Sequence, residues 1–142
     1  MKQILNKEQV KQFSNQILDH FFSLSKEDLW LRFMQSKTEY SIREWWNSTL
    51  DSDHISHRFV LLWEQDKVIG LGQISRVKNG VSGEISVSVS PTHRGQGLAR
   101  SLLNELLTIA EEGRISDVVL VCSHKNQPII TLAKKLGFTF SV

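Results

Sequence analysis

In "GEISVSVSPTHRGQGLARSLLNELL", residues 83–107, a strictly alternating run stops at a proline, passes through a basic glycine turn and becomes an apolar helical stripe. Ile85, Val87 and Val89 fall on one side of the alternation, with Glu84, Ser86, Ser88 and Ser90 on the other, the period of a half-covered strand. Leu98, Leu102, Leu106, Ile109 and Ala110 then recur at helical spacing up to Gly113, a natural helix stop. A strand that turns directly into a helix suggests an α/β fold, in which each element buries its one apolar side.

The flanking sequence extends this unit. "RFVLLWEQ" and "VIGLGQISRV" read as strands separated by a tight turn at Asp66 and Lys67, and "KNG" marks the next turn. With residues 83–90 they make a three-stranded antiparallel meander. "DVVLVCS" is an unbroken apolar run of the kind buried on both faces of a sheet. "NQPIITLAKKLGF" predicts a last helix, with Asn126 as N-cap and Pro128 in its first turn. Before the meander, residues 5–23 carry Leu5, Val10, Phe13, Ile17, Leu18, Phe21 and Phe22 at helical spacing. Ser25 and Asp28 form a loose capping box for another helix, and "IREWWNSTL" suggests a third. No composition break divides the chain, so residues 1–142 are expected to form one domain.

Seventeen basic against fifteen acidic residues leave a net charge of +2, spread without any Lys/Arg tract. Nothing in that pattern asks for nucleic acid. The chain starts polar and charged, and no apolar run has the length of a membrane span. The expectation is a soluble cytoplasmic protein. The lone Cys122 has no internal partner and is expected as a buried strand thiol. His54 and His57 stand three apart without further ligand spacing, so no metal is expected there.

The glycine turn is read first as chemistry. A helix start offers unpaired amides and partial positive charge, and glycines let a ligand approach the backbone. "RGQGLA", with Arg94 to attract anions, therefore suggests a phosphate cradle; the bland reading is a turn that only reverses the chain. The nucleotide-loop patterns fail. No G-K-[ST] follows, Arg100 stands where a dinucleotide loop has its third glycine, and Asp117 precedes a strand instead of ending one.

Val89, Pro91, Arg94, Gly97 and Ala99 form a V-x-P then [RQ]-x-x-G-x-[GA] series after a strand. Asn126 is followed by the pair Gly137–Phe138. In that order the two motifs resemble the GCN5-related N-acetyltransferases over about residues 25–142. "LSKEDLWLRF" and "NQPIITLAKKLGF" resemble the branch containing bacterial protein-lysine acetyltransferases. The resemblance implies a mixed, mostly antiparallel sheet flanked by helices, and acetyl-CoA as co-substrate. It implies that Arg94, Gly95, Gln96, Gly97, Leu98, Ala99 and Arg100 hold the pyrophosphate. Backbone groups of Val87, Ser88 and Val89, freed where the strand splays from its parallel neighbour, would pair with pantetheine, and Asn126 would touch the CoA arm.

Acetyl transfer to an amine needs a neutral nitrogen, and an ordinary lysine amine is almost wholly protonated at neutral pH. Glu84, on the polar side of the strand leading to the loop, is the candidate base; a solvated strand residue is the bland reading. Relatives often place a general acid Tyr seven residues after the Asn, but here that position is Ala133, and the sole tyrosine is Tyr40. The expected activity is direct transfer to a primary amine, small molecule or protein lysine. The alternative is a non-catalytic acyl-CoA-binding regulatory module. Trp45 and Trp46 would wall the acceptor groove or pack the core. "FTFSV" starts a strand that is short or missing relative to the family, leaving an edge that a second copy could complete as a homodimer.

Overall fold

A computed structural model describes residues 1–139. Its strands are β1 (Lys2–Asn6), β2 (Ile55–Glu64), β3 (Lys67–Val77), β4 (Ser82–Val89) and β5 (Asp117–Leu120). Its helices are α1 (Lys7–Val10), α2 (Ser14–Phe22), α3 (Lys26–Phe33), α4 (Glu39–Asp51), α5 (Leu98–Glu112) and α6 (Gln127–Lys135), with short 3-10 turns at 11–13 and 91–93. The five strands form one sheet in the order β1-β2-β3-β4-β5. The first three pairings are antiparallel and β4–β5 is parallel. This is the expected mixed, mostly antiparallel sheet flanked by helices.

Strand alternation splits the core in two. Phe59, Leu61 and Leu71 pack with Phe21, Ile42 and Trp46 under the N-terminal helices. Val60, Ile74 and Ile85 pack with Leu102, Leu103 and Leu106 of α5 on the opposite face. Of the two tryptophans, Trp46 is buried in the core and Trp45 half-buried against Phe21 and Phe33. The capping box read at Ser25 and Asp28 is formed: the Asp28 N–H donates to Ser25 Oγ and the Ser25 N–H to Asp28 Oδ2.

Three expectations need correction. Leu5 does not begin a helix. Residues 2–6 pair antiparallel with residues 58–62 as β1, and a reciprocal Asn6–Gln9 capping box starts the helix at Lys7. Five residues are too few for periodicity to separate strand from helix, and the open edge of β2 decided the outcome. "DVVLVCS" is not buried on both faces. Val118 and Leu120 reach the α5–α6 core, while Val119 and Val121 are exposed, because β5 is the sheet edge among the described residues. Cys122 lies beyond β5, half-buried, and not within the strand. α5 ends at Glu112 with Gly113 as its C-cap, as expected, and Arg114 follows in the left-handed conformation at φ 56°. Phe138 and Thr139 take no strand conformation; the rest of "FTFSV", and with it the completing strand and the edge offered to a second copy, lies outside the described residues.

The serine side of β4 is covered. His20 of α2 is buried beneath it, its Nδ1 3.1 Å from the Val68 carbonyl and its Nε2 2.8 Å from Ser88 Oγ. A carbonyl only accepts, so Nδ1 carries the proton and the Ser88 hydroxyl donates to Nε2. His57 is buried between Ser52 and Ser75. The Ser52 hydroxyl donates to the Thr49 carbonyl, so His57 Nε2 donates to Ser52. No described helix is long and apolar enough to cross a membrane.

Burial lowers both histidines to about 4. A folded value below the unfolded one means the unfolded chain binds protons first as pH falls. Stability is therefore full above about pH 6.5 and declines from there down to about pH 4. For His20 the loss is on the order of 3 kcal/mol. Thermal melts between pH 7.5 and 4.5 are expected to show a falling midpoint, with a shallower slope in His57→Gln. A midpoint independent of pH, or identical slopes in the two proteins, contradicts neutral burial.

Candidate active site

β4 and β5 run in register only from Ser82–Asp117 to Ile85–Leu120. Beyond Ile85, β4 continues to Val89 with β3 alone as its partner. The Ser90 N–H donates to the Ile69 carbonyl, and the β3–β4 register is unbroken from there back to Glu84. Antiparallel pairing then turns the backbone of Ser86 and Ser88 toward β3 and that of Val87 and Val89 away from it, into the gap left by β5. Val87 and Val89 thus present main-chain donors and acceptors with no strand partner among the described residues.

The gap opens into a cleft of about 820 Å³, in the size range of sites that hold a cofactor-sized ligand. Ser86–Val89 form one wall and Leu120, Val121 and Cys122 the facing one. The cleft ends at the glycine turn, where Arg94, Gly95, Gly97, Leu98, Ala99 and Arg100 line it. Gly95 and Gly97 both have φ +77° with nothing within 4 Å of a built Cβ, so they serve the left-handed backbone and leave open space above it. Gly97 is the N-cap of α5, and the Ser101 N–H bonds to the Gly97 carbonyl. The amides of Leu98, Ala99 and Arg100 are the helix's unpaired donors, facing the cleft with the positive end of the dipole. Gln96 is exposed and outside the lining.

Arg94 is not free. Its Nη2 lies 2.8 Å from Asp28 Oδ2 and 3.3 Å from the Val89 carbonyl, strapping the turn to α3. Burial works to raise the Asp28 carboxyl, but the Arg94 guanidinium and the Ser25 bonds outweigh it and hold it below the usual range. Asp28 and Arg32 both line the cleft from α3. Sequence reading used Asp28 only as a cap and passed over Arg32. Their i, i+4 spacing, beside the apolar stripe through Leu29 and Phe33, was the available signal.

Glu84 sits on the Ser86 side of β4, exposed and below the lined part of the cleft. Its carboxylate draws on Arg32: burial lowers that guanidinium to about 10, Glu84 opposes the shift, and Arg32 remains charged at neutral pH. Asn126 lines the cleft at the N-cap of α6 with no side-chain cap bond, leaving its amide available. Ala133 of α6 is buried, and Tyr40 stands exposed at the start of α4. Burial raises the Cys122 thiol, which disfavours the thiolate. Among the described residues no group of three or more His, Cys, Asp or Glu could hold a metal ion.

The profile of the acetyltransferase (GNAT) family matches residues 17–138. Among curated proteins, rat (Rattus norvegicus) N-acetyltransferase 8F1 is 36% identical over 78 residues, covering 51% of this chain and 35% of that protein. The match thus spans about a third of the relative's length. Among solved structures, the GNAT domain of S. lividans PAT superposes with a TM-score of 0.84 at 15% identity, covering 99% of this chain and 83% of that one. Spermidine N-acetyltransferase from Vibrio cholerae, solved with CoA and spermine, gives 0.73 at 16% identity, covering 99% and 82%. With a family match over most of its length and that fold around a splayed β4–β5 pair, the chain belongs to the GNAT acetyltransferase family.

Proposed function

We propose that this domain is an acetyl-CoA-dependent N-acetyltransferase that moves an acetyl group to a primary amine by direct attack within a ternary complex. One observation carries the reading: the backbone of Val87 and Val89, with no strand partner on its β5 side, and the unpaired amides at the start of α5 open into one cleft. A diphosphate suits the α5 amides and a pantetheine amide chain suits a free strand edge. Asn126 borders the same space from the facing side.

In this mechanism the amine nitrogen attacks the acetyl carbonyl carbon, the C–S bond breaks and CoA leaves as thiolate. Backbone N–H groups on the free edge of β4 polarise the carbonyl. Glu84 takes one proton from the incoming ammonium, directly or through water, and the nitrogen's second proton passes to water as the tetrahedral intermediate collapses. With Ala133 where relatives often carry tyrosine, no side chain at that position protonates the thiolate; water serves, since a thiolate with an ordinary pKa near 8.5 is a tolerable leaving group. The same feature supports the second reading, a CoA-binding module without turnover.

Thiol release from acetyl-CoA, followed against a panel of amines and lysine peptides with mass spectrometry of the products, separates the two. Acetylated product is expected; CoA binding without thiol release from any acceptor assigns the module instead. Glu84→Gln is expected to lower kcat on the order of 100-fold at neutral pH with an unchanged Kd for acetyl-CoA, and unaltered kcat removes Glu84 from the reaction. Gly97→Val forces a β-branched residue toward a left-handed backbone that costs such a residue about 1–2 kcal/mol. Calorimetry is expected to show CoA affinity weakened about tenfold, in a protein that still folds with a melting temperature lowered by several degrees. Equal affinity excludes the turn as the diphosphate site.

A further inference from the structure

Arg32 points to the acceptor. Its guanidinium stands over three rings, 4.7 Å from the Phe33 centroid, 5.5 Å from Trp45 and 5.8 Å from Phe21. These rings come from α2, α3 and α4, so three elements hold one side chain in place. No hydrogen bond or ion pair satisfies it among the described residues, although it attracts Glu84 at longer range. The side chain lines the cleft, and a guanidinium carries five N–H donors in a planar fork. Aromatic faces steady the cation but leave that fork without an acceptor.

The position along the cleft follows from α3. Asp28 binds Arg94 at the diphosphate end. Arg32 lies one helical turn further along the same face, about 6 Å away, within the electrostatic reach of Glu84. That is the end of the cleft where β4 begins to part from β5. The cation therefore faces the place where an acceptor must approach, not the place where phosphate is held.

We propose that Arg32 is a specificity-determining residue that binds a carboxylate on the acceptor, so that the substrate class is amines bearing an adjacent carboxylate, such as free α-amino acids. The proposal rests on the acetyltransferase reading and narrows it. A guanidinium and a carboxylate pair through two parallel bonds, which orients the acceptor as well as holding it. The cation also disfavours the protonated ammonium beside it, the form that cannot attack. A polyamine suits the site poorly. Arg32, Arg94, Arg100 and Lys125 line the cleft against Glu27 and Asp28, and Asp28 is already committed to Arg94. A protein lysine side chain carries no carboxylate for Arg32 to hold.

The test titrates matched triplets onto the CoA-saturated protein by calorimetry. Each triplet is an α-amino acid, its amide and its decarboxylated amine, with aliphatic, aromatic and thioether side chains represented. At least one amino acid is expected to bind about tenfold or more tighter than its two partners. Arg32→Met, whose thioether suits the same ring cage, is expected to erase that preference, and Arg32→Lys to keep only part of it. Melting curves check that both variants fold, and if neither does the wild-type preference alone decides. Equal affinity across a triplet set, tighter binding of the uncharged members, no binding by any amino acid, or a preference that survives in folded Arg32→Met overturns the proposal. Thiol release measured on the same panel reports separately on catalysis. Acetylation of amide and decarboxylated amine as readily as of the amino acid leaves an acetyltransferase but removes this role for Arg32. A carboxylate preference in binding without thiol release leaves Arg32 its role and removes the catalytic reading.

Discussion

Parallel pairing between β4 and β5 lasts only four residues, and the site depends on its stopping there. Had β5 followed β4 to Val89, the backbone groups of Val87 and Val89 would be spent on the sheet. Because β4 outruns its neighbour, those groups face open space while β3 still holds the strand firmly on its other side. Left bare, those groups must bond water in place of protein. A ligand with its own amide chain can restore those bonds, which makes the gap a place for one.

The rest of the fold positions that gap. α5 packs Leu102 and Leu106 against Val60, Ile74 and Ile85, which fixes its N-terminus beside the end of β4. On the opposite face, His20 ties α2 to Val68 and Ser88, and the aromatic cluster of Phe21, Phe33, Trp45 and Trp46 sets α3 and α4 over the sheet. α3 closes the cleft with a strap at one end, Asp28 to Arg94, and an unsatisfied cation at the other, Arg32. Diphosphate binding at the α5 amides would draw on the same Arg94 that now holds Asp28, so the two ends of the cleft are linked through one helix.

Much of this was legible in the residues. Alternation in β4, the glycines at 95 and 97 and the stripe of α5 each obey a local rule, and the parting of β4 from β5 followed from family resemblance to those motifs. What escaped had non-local causes. β1 is strand because β2 offers an edge, a fact no window of five residues contains. Val119 and Val121 are exposed because β5 is the edge of the described sheet, although their composition reads as interior. The serine side of β4 read only as the polar side, yet His20 from α2 covers it. Arg32 went unread because the rings of Phe21 and Trp45 and the cleft meet around it only in the fold.

A crystal structure of the acetyl-CoA complex tests the central claim most directly. The account predicts diphosphate oxygens within hydrogen-bond distance, about 3 Å, of the amides that open α5, and the pantetheine arm lying between Val87–Val89 and Leu120–Cys122, with the acyl end toward Ser86. Ligand density elsewhere on the molecule, or a bound structure in which β5 has zipped along β4 to close the gap, would contradict it.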